Sequence, residues 1–76
     1  MDLYNEIQQI LVKKCAIEES LITQDTKLVE ILDSVDRMYL ILDIKKKYHI
    51  DFSASDIAKI TTIQSLVNLI SAVIHA

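Results

Sequence analysis

Residues 32–48 read LDSVDRMYLILDIKKKY, and the segment Leu32-Asp33-Ser34-Val35-Asp36 at their head marks where a polar loop gives way to a long apolar-rich helix. A helix start presents unpaired backbone N–H groups and the positive end of aligned peptide dipoles. A phosphate esterified to Ser34 would be stabilised there by about 0.3–1 kcal/mol. No cleft chemistry surrounds the serine, which makes it a candidate for carrying a group. The simpler role open to Asp33 or Ser34 is that of an N-cap, accepting a hydrogen bond from the first turn.

The helix is expected from Val35 to Tyr48, and at about 100° per residue its apolar side chains fall into two stripes. Leu40, Ile41, Ile44 and Tyr48 form one, which is all a single-layer bundle needs to close its core. Val35, Met38, Tyr39 and Leu42 form a surplus stripe that begins beside Ser34. Such a strip, left uncovered on a small domain, serves a partner, and methionine suits a surface that accepts several. A homodimer seam would explain it equally well.

Upstream, Leu3, Ile7, Ile10, Leu11 and Cys15 recur at three- and four-residue intervals and predict a first helix from Leu3 to Cys15. Between Ala16 and Leu32 the period fades into a long loop partly pinned by Leu21, Ile22, Leu28 and Ile31, in which Lys27 to Ile31 supplies a short helical turn. Downstream, Ser53 with Asp56 three residues on caps a short helix from Ala54 to Lys59, anchored by Ile57 and Ile60. Thr61 with Gln64 has the same spacing and opens a last helix carrying Ile63, Leu66, Val67, Ile70, Val73 and Ile74 on one face. No alternating apolar pattern competes. The expected fold is all-α: a small antiparallel four-helix bundle, three longer helices and one short, with a long loop between helices 1 and 2.

Composition narrows the function. Seventy-six residues fit one domain, 1–76, with little volume for a deep substrate pocket, so an enzyme is not expected. Half of the residues are hydrophobic, yet no apolar run is long enough for a membrane span and no cleavable signal opens the chain, so a soluble cytoplasmic monomer is expected. The single cysteine, Cys15, has no disulfide partner, does not make a zinc site, and reads as a core residue. A net charge of −3 opposes nucleic-acid binding. Glycine and proline are both absent, which removes phosphate-cradling loops and leaves turns to Ser, Thr, Asp and Asn. A nucleophilic role for Ser34 would need a base within hydrogen-bond reach. His49 lies about four helical turns away and His75 is near the C-terminus, so both read as surface residues. Asp33 and Asp36 read as helix-start carboxylates.

Asp33-Ser34-Val35-Asp36, followed by Lys59-Ile60-Thr61-Thr62-Ile63-Gln64 within this order of helices, resembles the acyl carrier proteins over nearly the whole chain. The resemblance implies that Ser34 is esterified with 4′-phosphopantetheine by a phosphopantetheinyl transferase, with Asp33 and Val35 beside the arm and Asp33 assisting the transferase. Val35 stands where leucine is usual and keeps an aliphatic contact. The resemblance also implies that the following helix, with Asp36, Met38, Tyr39, Leu42, Lys45 and Lys46, faces the acyl- or aminoacyl-loading and elongating enzymes. Fatty-acid carriers present glutamates there; Tyr39, Lys45, Lys46 and Lys47 depart from that pattern and point to a dedicated lipid, polyketide or other specialised pathway. The lysines are also explained as a solvated helix C-terminus. A second function class is a noncovalent adaptor or homodimerisation module using the Val35–Leu42 stripe.

Overall fold

The computed structural model describes residues 2–75; Met1 and Ala76, included in the expected domain 1–76, lie outside them. Five α-helices follow in order: α1 Leu3–Lys14, α2 Leu28–Ile31, α3 Ser34–Tyr48, α4 Ala54–Ala58 and α5 Ile63–Ile74, with a 3-10 turn at Glu19–Leu21. The class is the expected all-α bundle, with α2 at the turn foreseen for Lys27 to Ile31. The 3-10 turn carries no helical period and was not foreseen.

The core joins one stripe from each long helix. Ile7, Ile10 and Leu11 of α1, Leu40 and Ile44 of α3, and Ile63, Leu66 and Ile70 of α5 are buried, with Ile22, Leu28, Leu32 and Phe52 closing it from the connections. Each contributes about 1.5–3 kcal/mol through removal of its side chain from water. α1 packs along α5, and ion pairs Glu6–Lys47 and Lys14–Asp43 (2.8 Å) hold α1 antiparallel to α3. Cys15 is half-buried at the edge of this core. Burial, followed by the Asp36 and Asp43 charges, pushes its thiol pKa up, so the thiol stays protonated at neutral pH.

In a chain without glycine, two helices end on left-handed non-glycine residues. Ala16 (φ 57°) follows α1 and His49 (φ 55°) follows α3. In each case the next residue folds back, Ile17 N–H donating to the Leu11 carbonyl (3.1 Å) and Ile50 N–H to that of Lys45 (3.2 Å). Ile17 and Ile50 thereby reach the core, the apolar contact that accompanies this type of helix stop.

The long α1–α3 connection is stapled to the start of α5. Leu28 N–H donates to Thr61 O (2.9 Å), Ile63 N–H to Thr26 O (3.0 Å) and Gln64 N–H to Gln24 O (3.0 Å). Thr26 Oγ1 in turn donates to Leu21 O (3.0 Å) and accepts from Thr23 N–H (2.9 Å). This staple moves the cap of α5 one residue beyond the expected Thr61. Thr61 O is spent on Leu28 and Gln64 N–H on Gln24, and the capping box forms between Thr62 and Ser65. The cap of α4 is as expected, Ser53 with Asp56. Ile57 is corrected: α4 ends at Ala58, before Ile60, and its single isoleucine, Ile57, is exposed while Ile60 beyond the helix end is half-buried.

Candidate carrier site

Asp33 takes the cap of α3, its Oδ1 accepting from Asp36 N–H at 2.8 Å. Ser34 is therefore released from capping. It becomes the first residue of the helix, its side chain exposed. Both chemical roles considered for this segment are thus divided between neighbours, Asp33 satisfying an orphan backbone donor and Ser34 presenting a hydroxyl where backbone dipoles favour an anion.

Behind Ser34 the surplus stripe is open to solvent: Val35 is 62%, Met38 59%, Tyr39 68% and Leu42 46% exposed. Asp36 is half-buried beside it. Ile44 on the opposite face is 0% exposed, which separates the two faces as the helical period required. Lys45 and Lys47 do not form a free cationic end. Lys45 is paired with Asp51 at 2.9 Å and Lys47 with Glu6. The Lys45 ammonium and the Phe52 backbone N–H hold the Asp51 carboxyl below the usual carboxylate range, and the bond to Glu6 raises the Lys47 pKa. Of the three lysines, only Lys46 has no salt bridge among the described residues.

The feature that sequence reasoning missed is a groove of about 600 Å³ running from Ser34 between α2, α3 and α4. Its walls are mainly apolar, with Leu28, Val29, Met38, Ile41, Ile57 and Ile60, and Lys27, Arg37 and Thr61 supply polar groups. The expectation of little volume overlooked a groove formed between elements rather than a pocket sunk into one. A signal was present: Val29 and Ile57, apolar residues in helices of four and five residues, had no core position to fill, and both are exposed. His49 and His75 are exposed at helix C-caps. No helix among the described residues is long and apolar enough to cross a membrane.

The site is thus an exposed serine opening a long helix, bordered by a mainly apolar groove and an apolar stripe. Residues 5–70 match the family described as the phosphopantetheine attachment site, and the chain belongs to that family. It is 25% identical over 72 residues to an acyl carrier protein of Campylobacter lari, an alignment covering 92% of this chain and 94% of that one. Similarity to an acyl carrier protein of Thermotoga maritima is 27% identity over 71 residues, 91% of this chain and 88% of that one. To one from Campylobacter jejuni it is 28% over 72 residues, 92% and 94%. A covalently attached 4′-phosphopantetheine is the prosthetic group this membership implies. The residues present fit it: Ser34 is exposed, and the groove it lines is mainly apolar.

Proposed function

We propose that this chain is one carrier domain in which Ser34 holds the phosphopantetheine arm and delivers acyl or related thioesters to the enzymes of a dedicated biosynthetic pathway. When bound, the arm supplies the thiol on which a thioester is made. The chain's own residues do the rest. Asp33 fixes the helix start so that Ser34 faces outward; Leu28, Met38, Ile41 and Ile60 exclude water from an apolar chain lying in the groove; Val35, Met38, Tyr39 and Leu42 meet the partner enzymes. The observation that carries this reading is the exposed Ser34 hydroxyl at the mouth of that groove. Carriage rather than catalysis fits this arrangement, since both histidines are exposed at helix ends and neither is among the residues lining the groove, so neither is placed to act as a base for Ser34.

A dedicated pathway is supported by the helix surface. Tyr39 offers an exposed aromatic ring on the outer stripe and Lys46, near the helix end, a cation with no salt bridge among the described residues, and a basic enzyme surface would gain nothing from either. Incubation with coenzyme A and a broad-specificity phosphopantetheinyl transferase should add one phosphopantetheine by intact mass, and Ser34→Ala should abolish the addition. An unmodified wild-type chain would refute the assignment and favour the adaptor or dimer built on the Val35–Leu42 stripe.

A further inference from the structure

Two cations line the groove without a salt bridge among the described residues. Arg37 stands one turn beyond Ser34 on α3, and Lys27 stands on the segment facing it across the groove. Arg37 is four residues after Asp33, the spacing at which Asp and Arg pair on a helix surface. Yet neither Arg37 nor Lys27 makes a salt bridge among the described residues. Asp33 is engaged instead by the Asp36 backbone N–H, and Arg37, half-buried, lines the groove.

A phosphodiester on Ser34 would set a third negative charge within four residues, beside Asp33 and Asp36. Charges so close repel even in partly solvated surroundings, and the helix dipole offsets only part of that repulsion. We propose that Arg37 and Lys27 clamp the phosphate of the arm, so that the arm leaves Ser34 along the groove instead of outward into solvent. Arg37 is a positioning residue on the serine's own helix, about 5–6 Å away between Cβ atoms at this spacing. Its planar fork matches two phosphate oxygens, while Lys27 adds a point charge from the other wall. The inference rests on Ser34 being the attachment residue.

The test begins with chain converted to the arm-bearing form and checked by intact mass; failure there would count against the attachment residue, not the clamp. Phosphorus NMR is then recorded on the modified wild type and on Arg37→Gln, Lys27→Gln and, as a remote control, Lys13→Gln. The phosphate resonance is expected to move in the first two variants and not in the control, to respond to added salt in the wild type, and to lose that response when Arg37 and Lys27 are both replaced. Arg37→Lys should restore part of the wild-type position. In a Cys15→Ala background, labelling of the arm's thiol should be about two- to fivefold faster in Arg37→Gln, the range an exposed charge pair supports. Melts by circular dichroism should match wild type, because neither side chain belongs to the core. A phosphate resonance indifferent to both substitutions overturns the clamp. So does an Arg37→Gln variant that is merely slower to be modified, which would assign the guanidinium to the transferase encounter.

Discussion

Ile44→Ala and Leu42→Ala, two residues apart on α3, should differ several-fold in cost. Ile44 is 0% exposed, and removing its three outer carbons forfeits about 2.4 kcal/mol at about 0.8 kcal/mol per buried methylene. A cavity term raises this to about 3–4 kcal/mol, within the usual span for such truncations. Leu42 is 46% exposed. It loses roughly half the transfer energy and opens no closed cavity, for a cost of about 1 kcal/mol or less. At about 4–8 °C per kcal/mol for a domain of this size, Ile44→Ala should melt at least 12 °C lower, and Leu42→Ala within about 8 °C of wild type. A chain of 76 residues holds about 4–11 kcal/mol in total, so Ile44→Val, at about 0.5–1.5 kcal/mol, gives a milder second point. Thermal and urea melts followed by circular dichroism read the stability, and rates of arm attachment and loading read the partner contact, which Leu42→Ala should slow. Equal destabilisation by Leu42→Ala and Ile44→Ala would show that the outer stripe is part of the fold and refute its assignment to partners.

Relief of the left-handed stop after α3 should stabilise the protein: His49→Gly removes about 1–2 kcal/mol of strain and returns part of it as unfolded-chain entropy, so the melting temperature should rise by a few degrees. A fall would show that the His49 side chain contributes more than its backbone costs. The depressed Asp51 pKa adds stability that is complete above the unfolded carboxylate pKa of about 3.9 and is lost as pH falls through the lower folded value. NMR titration should therefore find Asp51 protonating below the ordinary range, and Lys45→Met should bring it back; an unmoved titration would detach the shift from Lys45. Lys46→Glu, which spares the two ion-paired lysines, should speed transfer with fatty-acid synthesis enzymes and slow it with the chain's own partners, most clearly at low salt. Equal rates with both enzyme sets would reduce Lys46 to a solvated side chain.

The periodic parts of this fold could be read from the sequence because each long helix has enough turns for its buried face to repeat: Ile7, Ile10 and Leu11; Leu40 and Ile44; Ile63, Leu66 and Ile70. The opposition of Met38 and Leu42 to Ile44 was equally readable. What escaped was set by contacts distant along the chain. Thr61 loses the α5 cap to Thr62 because Leu28 and Gln24 take up the backbone groups around it, and no local spacing encodes that. The groove draws on residues from Lys27 to Leu66; in sequence Val29, Ile57 and Ile60 look like core residues of elements too short to have a core face. Three consecutive lysines read as one basic patch until Asp51 and Glu6 arrive from elsewhere to neutralise two of them.

The backbone staple between residues 24–28 and the start of α5 gives the groove two unlike jaws. The side formed by residues 24–28 is bolted to Thr61, Ile63 and Gln64 through the main chain, so widening there would break several hydrogen bonds together. The α4 side is one short helix of five residues, held by its own cap and by a half-buried Ile60. On the proposed reading, in which the groove takes the tethered chain, cargo of growing length would be accommodated at the α4 jaw. Amide exchange would record the asymmetry as slow protons at Leu28 and Ile63 and fast ones through Ala54–Ala58, with the difference widening as the tethered chain lengthens.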